Sequence, residues 1–196
     1  MKIICFGDSN TYGYDPRSYF GERYGSNERW VDILGELMEC EILNEGENGR
    51  EIPRREDELA QFAQLLENEQ PVNLMIIMLG TNDLLRGNPA DAVVKCMERF
   101  LNRIDFPMER ILLIAPPIIK QGEWVSLESY IHDFEELSAA YKALAARLRV
   151  HFVEAEKWNI ETAFDGVHFT PEGHRIFAQG VYRYLVKENE QCWKLE

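Results

Sequence analysis

Five short apolar runs alternate along the chain with longer stretches in which apolar residues recur every three or four positions. The runs are typical of strands because they are short and mostly rich in Ile, Leu, Val or Phe. They span Lys2 to Phe6, Glu41 to Asn44, Asn73 to Leu79, Arg110 to Ala115 and His151 to Glu154. Strands that alternate with helices predict parallel pairing through right-handed crossovers. We therefore expect an α/β fold, a three-layer α/β/α sandwich around a five-stranded parallel sheet in the flavodoxin-like order.

Three of the stretches between these runs have the spacing of helices that bury one face. Their apolar positions are Trp30, Ile33, Leu34, Leu37 and Met38, then Leu59, Phe62, Ala63 and Leu66, then Phe134, Leu137, Tyr141, Leu144 and Leu148. Two further helices have start signals, because Asn88-Pro89 and Thr170-Pro171 each place a capping side chain before a proline. The last helix is expected to bury Phe177, Val181 and Leu185.

The length and charge of the chain narrow its class. A chain of 196 residues predicts a single domain over residues 1–196. The formal net charge of −13 argues against nucleic acid and anionic membranes as partners, because affinity for a phosphate backbone depends on Lys and Arg. No apolar run approaches the roughly 20 residues that cross a bilayer. The first residues do not have the three regions of a signal peptide, so we expect a cytoplasmic protein with no membrane partner.

Neither the cysteines nor most histidines show a metal-binding pattern. The cysteines are Cys5, Cys40, Cys96 and Cys192. Their scattered spacing argues against a zinc site or a redox motif, and Cys5 and Cys96 lie in apolar patterns typical of buried, reduced thiols. His132, His151 and His174 have no partner at ligand spacing and are expected to be structural. The sequence therefore predicts no metal and no organic cofactor.

Polar segments follow three of the predicted strands and precede the last helix. They are Gly7-Asp8-Ser9-Asn10, Asn44-Glu45-Gly46-Glu47-Asn48-Gly49, Gly80-Thr81-Asn82-Asp83 and Asp165-Gly166-Val167-His168. Each segment alone is also typical of an ordinary turn or helix cap. In parallel sheets, however, ligands bind beyond the carboxyl ends of the strands. The joint occurrence of these segments at that edge predicts a catalytic site.

The residues in these segments are suited to acyl transfer. Ser9 is the candidate nucleophile, because a serine hydroxyl needs a neighbouring base and His168 supplies one near neutral pH. Asp165 is placed to accept the other imidazole N–H and to fix the tautomer. The backbone N–H groups of Ser9 and Gly49 and the side-chain amide of Asn82 are candidate donors to an oxyanion. Gly49 fits this role because a residue without Cβ lets the backbone approach a substrate closely.

With these motifs the chain resembles the SGNH (GDSL-type) hydrolase superfamily from Lys2 to about Leu185. The family's four signature residues fall on Ser9, Gly49, Asn82 and His168, with Asp165 completing the acid–base pair. Residues 6–16, Arg29-Trp30 and Asn48-Gly49-Arg50 are similar to the arylesterase and acyltransferase branch. The resemblance implies one SGNH-hydrolase-like domain whose serine esterase chemistry needs no cofactor.

Two positions depart from that family, and several others are candidates for substrate contact. Asn10 stands where the name motif has Leu, and Glu51 stands where the branch carries a small hydroxyl residue. Candidate substrate-binding residues are Asp8, Asn10, Tyr12 and Trp124. The long aromatic segments Gly7 to Gly25 and Pro116 to Ser129 either wall an acyl pocket or form the interface of a homo-oligomer. Both interpretations stay open.

The expected function is hydrolysis of a small-molecule ester with a short acyl group, most simply acetyl. An acyltransferase with the same triad is an alternative, in which an alcohol replaces water as the acceptor. A flavodoxin-like module that binds FMN or phosphate near Ser9, Asn10 and Thr11 is an alternative from a different class. The carboxylate of Asp8 opposes it, because phosphate favours bare N–H groups at a helix N-terminus.

Overall fold

A five-stranded parallel sheet forms the centre of the computed structural model, which describes residues 1–123, 125 and 129–189. The strands are β1 (Lys2–Gly7), β2 (Glu41–Gly46), β3 (Leu74–Met78), β4 (Ile111–Ala115) and β5 (His151–Glu154). They are ordered β2-β1-β3-β4-β5, and all neighbours are parallel. This is the flavodoxin-like order, so the predicted sheet is confirmed.

Helices cover both faces of the sheet. They are α1 (Ser9–Tyr12), α2 (Trp30–Met38), α3 (Glu56–Asn68), α4 (Thr81–Leu85), α5 (Ala90–Arg103), α6 (Ser129–Leu148) and α7 (Pro171–Asn189). Apolar residues of α2 and α7 pack together on one face, whereas those of α3, α5 and α6 pack on the other. The three-layer sandwich is thereby confirmed.

The alternation of side chains along β1 divides the core into two halves. Ile3 and Cys5 contact the half formed by α2 and α7, whereas Ile4 and Phe6 contact the other half. This division follows from the two-residue period of a strand. All residues of β3 and β4 are buried, as expected for strands covered on both faces. Polar chemistry is thus confined to the strand ends.

The two predicted helix starts differ in detail. Before α7, the Thr170 hydroxyl accepts a hydrogen bond from the N–H of Gly173 at 3.0 Å, as its capping role requires. Before α5, the prediction is off by one residue, because Pro89 is the N-cap and no side chain caps the helix. The Asn88 amide instead donates to the carbonyl of Asp83 at 2.9 Å. Asn88 therefore stabilises the turn after α4.

The cysteines in the described residues are free thiols. Cys5 is buried, as predicted, whereas Cys40 and Cys96 are only partly buried. Cys96 lies on α5 at the margin of the core, so its predicted full burial is wrong. The interpretation of Cys192 falls outside the described residues. In the described part of the chain, no helix has both the length and the apolar character needed to cross a membrane.

Candidate active site

The tight turn after β1 carries the candidate nucleophile. Ser9 is the first residue of α1, and Asp8 is its N-cap, whose carboxylate accepts the N–H of Asn10 at 3.0 Å. A Cβ on Gly7 would lie 2.1 Å from the Thr11 hydroxyl oxygen, so the turn requires glycine here. Ser9 itself is 7% exposed. The turn therefore holds the hydroxyl at the sheet edge with only a small accessible surface.

The imidazole of His168 lies between Ser9 and Asp165. Its Nε2 is 2.9 Å from the Ser9 Oγ, and its Nδ1 is 2.7 Å from the Asp165 Oδ2. In the tautomer that makes both hydrogen bonds, the serine O–H donates to Nε2 and Nδ1–H donates to the carboxylate. The sequence-predicted nucleophile, base and acid are therefore in hydrogen-bonding contact.

The Asp165 carboxylate is fully buried but well provided with donors. Its Oδ1 accepts the backbone N–H of Val167 at 2.8 Å and that of His168 at 2.9 Å. Burial raises the pKa of this carboxyl, but the hydrogen bonds from the His168 ring and from the backbone outweigh that effect and lower it. The carboxylate therefore stays charged and stabilises any imidazolium formed beside it.

The Asn10 amide ties the nucleophile turn to the loop that carries the histidine. Its Nδ2 donates to the carbonyl of Val167 at 3.1 Å, and its Oδ1 accepts the N–H of Phe169 at 2.9 Å. These two residues flank His168, so the tie fixes the His168 loop against the turn that carries Ser9. Both ends of the amide are directed into the protein, which corrects the expectation that Asn10 faces substrate.

Asp8 is likewise directed inward. Its side chain is 1% exposed and caps α1. Burial raises the pKa of its carboxyl above the ordinary value, against the hydrogen bond from the N–H of Asn10. The substrate contact expected for Asp8 is therefore replaced by a capping role.

The segment that follows α1 brings an aromatic ring onto the base. The ring of Tyr14 lies 4.6 Å from that of His168, centroid to centroid. Tyr14 also pairs with Arg23 in an antiparallel bridge, and the Arg23 guanidinium lies 5.1 Å from the ring of Tyr12. Tyr12, predicted to bind substrate, therefore packs against Arg23. Tyr14 was missed by the site prediction, and its only sequence signal is its place in the aromatic segment.

The segment after β4 packs on the turn that carries Asp165. The N–H of Lys120 donates to the carbonyl of Gly166 at 2.8 Å. A Cβ on Gly166 would lie 2.0 Å from the Lys120 carbonyl, so the approach is close. The described part of this segment thus stabilises the acid–base loop. Trp124, predicted to bind substrate, lies outside the described residues.

The other two candidate oxyanion donors, Gly49 and Asn82, follow β2 and β3. Gly49 is exposed with φ +74°, and a Cβ there would be more than 4 Å from any other described residue. The positive φ explains the glycine. The Asn82 Nδ2 donates to the carbonyl of Arg50 at 3.0 Å. An amide nitrogen has two N–H donors, so a second one is available for an oxyanion.

A buried carboxylate anchors the loop that carries Gly49. The Asp83 Oδ2 accepts the N–H of Ile52 at 3.1 Å, and its Oδ1 lies 3.8 Å from an Arg54 nitrogen. Burial raises the pKa of the Asp83 carboxyl, against these favourable contacts. Asp83 stands next to Asn82 at the start of α4. The first turn of this helix therefore carries the candidate donor Asn82 and also binds the loop that contains Gly49. The sequence placed Asp83 in a motif but gave it no role.

Comparison with known proteins identifies the family to which this geometry belongs. Residues 5–176 match the GDSL-like Lipase/Acylhydrolase family, a range that includes every residue of the candidate triad and oxyanion hole.

The chain belongs to the GDSL-like lipase/acylhydrolase family.

Relatives of this GDSL-like chain have esterase names. The "Isoamyl acetate-hydrolyzing esterase 1 homolog" of Rattus norvegicus is 28% identical over an alignment of 142 residues, and the match covers 63% of this chain and 50% of the relative. The chain thus spans about half of that relative's length. A carbohydrate acetylesterase family member from Sinorhizobium meliloti has a TM-score of 0.80 at 25% identity, with 95% and 97% of the two chains covered. The aryl esterase of M. Smegmatis, at 24% identity, shares the fold with a TM-score of 0.82 over 95% and 98%.

Glu51, one of the two positions where this GDSL-like chain differs from the pattern it resembles, is engaged by two arginines. Its carboxylate pairs with Arg54 and with Arg86. A second nitrogen of Arg86 lies 3.5 Å from the carbonyl of Gly49. The acidic residue therefore forms part of the charged support of the Gly49 loop.

His174, on the first turns of α7, is structural. His174 is fully buried, and its Nδ1 accepts the N–H of Trp30 at 3.4 Å. Burial, and then the nearby charges of His168 and Arg29, lower the pKa of His174 to about 3. The ring is therefore neutral at ordinary pH and serves to join α2 to α7.

The other two histidines lie away from the triad. His132 is exposed with Nε2 3.2 Å from the carboxylate of Glu136, and the His151 Nδ1 is 3.4 Å from the Tyr184 hydroxyl. Over residues 1–123, 125 and 129–189, no group of three or more His, Cys, Asp or Glu side chains is arranged to hold a metal ion.

Proposed function

We propose that this chain is a serine ester hydrolase that cleaves short-chain, chiefly acetyl, esters of small molecules through an acyl-enzyme on Ser9. The observation that carries the proposal is the His168 ring, whose nitrogens lie 2.9 Å from the Ser9 hydroxyl and 2.7 Å from the Asp165 carboxylate. This contact gives the serine a base and gives the base an orienting carboxylate.

Acylation begins when the Ser9 Oγ forms a bond to the ester carbonyl carbon. The serine proton passes to the His168 Nε2, and the carbonyl electron pair moves onto oxygen. The N–H groups of Ser9 and Gly49 and the amide of Asn82 receive this oxyanion. Its collapse breaks the bond to the alcohol oxygen, which takes the proton from Nε2 as it leaves. The acyl group then remains on Oγ.

Deacylation repeats these proton transfers with water. Water gives a proton to the His168 Nε2 while its oxygen attacks the acyl carbon, and the same donors receive the second oxyanion. Collapse returns the proton to Ser9 and releases the carboxylic acid. Asp165 remains ionised throughout, in keeping with its lowered pKa.

Two observations support a small acyl group. Ser9 and His168 are only 7% and 6% exposed, so the reactive atoms have a restricted opening. One relative is named for isoamyl acetate and one structural neighbour for carbohydrate acetylesterases. A small-molecule ester is thus the partner we propose. The cytoplasmic location and the homo-oligomer stay predictions from sequence.

A chain-length series tests the proposal. Wild type and Ser9→Ala are assayed with p-nitrophenyl acetate, butyrate and octanoate and with acetylated sugars, and both are treated with a fluorophosphonate probe. We expect the highest kcat/KM on acetate, and loss of both turnover and labelling in Ser9→Ala. Faster cleavage of octanoate contradicts the acetyl preference. Retained turnover in Ser9→Ala contradicts the mechanism.

The same assay separates hydrolysis from the alternatives left open by the sequence. Addition of a primary alcohol gives a transferred ester if the chain is an acyltransferase, whereas a hydrolase continues to release the acid. Membership of the GDSL-like family does not support the FMN-binding alternative. We expect the purified protein to be colourless, and a yellow protein with a flavin spectrum contradicts that expectation.

A further inference from the structure

The Arg50 side chain joins the ends of two neighbouring strands behind the candidate oxyanion hole. Its Nη1 donates to the carbonyl of Gly7, the last residue of β1, at 3.0 Å. The same nitrogen donates to the carbonyl of Glu45 near the end of β2, and Nη2 binds the Glu47 carboxylate at 2.7 Å. The guanidinium therefore connects the strand that leads to Ser9 with the loop that follows β2.

The backbone of Arg50 is attached to the other two candidate donors. Arg50 directly follows Gly49, and its N–H donates to the carbonyl of Glu47 at 3.2 Å, which closes the turn presenting Gly49. Its carbonyl accepts the Asn82 amide at 3.0 Å. The donors from Ser9, Gly49 and Asn82 follow three different strands. Arg50 is next to Gly49 and contacts Asn82 through its carbonyl. Its guanidinium contacts Gly7, which lies two residues before Ser9.

An aromatic ring fixes the plane of the guanidinium. The Arg50 Cζ lies 4.2 Å from the centroid of the Phe6 ring, which packs edge-on against Phe62 at 4.6 Å. The Arg50 side chain is only 18% exposed. It is therefore held in place by the core and by strand carbonyls, unlike an ordinary surface charge.

We propose that Arg50 is the positioning residue of the oxyanion hole, which sets the spacing between the N–H groups of Ser9 and Gly49 and the amide of Asn82. The inference rests on the esterase function proposed above. A planar guanidinium can donate to two carbonyls and a carboxylate at once. The ammonium of lysine is a point charge and does not hold its donors in that fixed planar arrangement. A misplacement of about 1 Å in such a site costs on the order of a hundredfold in rate.

Arg55 offers a matched control for Arg50. It lies in the same segment and lines the same cavity of about 460 Å³ beside Gly49. Its side chain is 69% exposed, and its contacts are with the carboxylates of Asp57 and Glu58 at the start of α3. Removing its charge therefore changes the local charge equally but leaves the strand ends joined.

The test compares wild type, Ser9→Ala, Arg50→Met, Arg50→Lys and Arg55→Met. For each, kcat and KM on p-nitrophenyl acetate, the fluorophosphonate labelling rate and the thermal unfolding curve are measured. We expect both Arg50 variants to lose about a hundredfold in kcat and in labelling rate, with KM little changed. The pH midpoint of kcat/KM should match wild type, because His168 keeps its contacts. Arg55→Met should behave as wild type.

Chemical rescue of kcat in Arg50→Ala separates a positioning role from a purely structural one, because an added cation would not restore kcat if Arg50 only stabilised the fold. Arg50 lines the cavity, so Arg50→Ala opens the vacated position to a small cation. Millimolar methylguanidinium should raise kcat of Arg50→Ala but not that of Arg55→Met, and methylammonium should have no such effect.

Three outcomes contradict the inference while the proposed esterase function stands. The first is a wild-type kcat in either Arg50→Met or Arg50→Lys. The second is a loss of kcat that the unfolded fraction of the variant at the assay temperature accounts for. The third is equal rescue of Arg50→Ala by methylguanidinium and methylammonium. A wild type that is neither active nor labelled contradicts the proposed function itself, and the inference with it.

Discussion

The candidate site has an acid–base side, formed by His168 and Asp165, and an oxyanion side, formed by Gly49 and Asn82. The two are built in different ways. On the acid–base side, the buried His168 ring contacts the Ser9 hydroxyl through one nitrogen and the buried Asp165 carboxylate through the other. On the oxyanion side, Gly49 is exposed, and the Asn82 amide donates to the carbonyl of Arg50, the residue that follows Gly49. The comparison shows that the predicted base His168 is held by side-chain hydrogen bonds, whereas the predicted oxyanion donors Gly49 and Asn82 are linked through the backbone of Arg50.

The largest effect is expected from Asp165→Asn on the acid–base side. An amide does not stabilise an imidazolium as a carboxylate does, and it favours the wrong histidine tautomer, so kcat should fall by about ten-thousandfold. The measurement is kcat on p-nitrophenyl acetate, with Asp57→Asn on the exposed start of α3 as the control. A kcat close to wild type in Asp165→Asn would show that His168 does not need this carboxylate.

A smaller loss is expected on the oxyanion side. Asn82→Ala removes one donor that binds the oxyanion more strongly than the ground-state carbonyl, so kcat should fall by about a hundred- to a thousandfold with KM little changed. Asn102→Ala, on the exposed face of α5, serves as the control. Kinetics and thermal unfolding are measured on the same preparations. A destabilised Asn82→Ala protein with wild-type kcat would remove Asn82 from the mechanism.

The tie across the acid–base side can be tested by restoring the family's leucine. Asn10→Leu leaves the carbonyl of Val167 and the N–H of Phe169 without their partner, which should cost about 2 kcal/mol in the free energy of unfolding. Urea unfolding measures this cost, and kcat of the folded fraction should fall less than in Asn82→Ala. Unchanged stability would show that this chain does not depend on the tie.

The smallest effect on turnover is expected from His174, which joins α2 to α7. Its pKa of about 3 in the folded protein lies below the unfolded value, so the unfolded state binds more protons between about pH 6.5 and pH 3. This histidine therefore contributes stability above about pH 6.5 and loses it as the pH falls, by at most about 1.4 kcal/mol per pH unit.

His174→Asn tests that linkage, because asparagine keeps an acceptor for the N–H of Trp30 but does not titrate. Urea unfolding at several pH values should give a shallower loss of stability on acidification for the variant than for wild type. Its kcat near neutral pH should remain close to that of wild type. Parallel curves for the two proteins would show that His174 is not buried in its neutral form.

The fold was predictable because the central strands β1, β3 and β4 are almost entirely buried. The runs around β3 and β4 contain almost only apolar residues, so their identity and parallel pairing follow from hydrophobicity and chain order. Helix starts were less predictable. The cap at Thr170 is local and was recognised, whereas Asn88 bonds instead to the carbonyl of Asp83.

The site was predictable only where chemistry is carried by residue type. Ser9 and His168, predicted from their residue types, lie in hydrogen-bonding contact, but sequence proximity to Ser9 suggested the wrong environment for Asn10. Successive residues of a helix point about 100° apart, so Asn10 is directed away from the face that presents Ser9. The role proposed for Arg50 and the contacts of Asp83 depend on segments that are distant in sequence, and no local pattern indicates those contacts.

The central claim is a covalent acyl-enzyme on Ser9, and its direct test is mass spectrometry after rapid acid quench. Wild type is mixed with excess p-nitrophenyl acetate, quenched within the first turnovers, digested and sequenced by fragmentation, with Ser9→Ala in parallel. The account predicts one acetyl group on Ser9 in wild type and none at that position in the variant. Turnover with an acetyl group on a different residue, formed equally in Ser9→Ala, would contradict it.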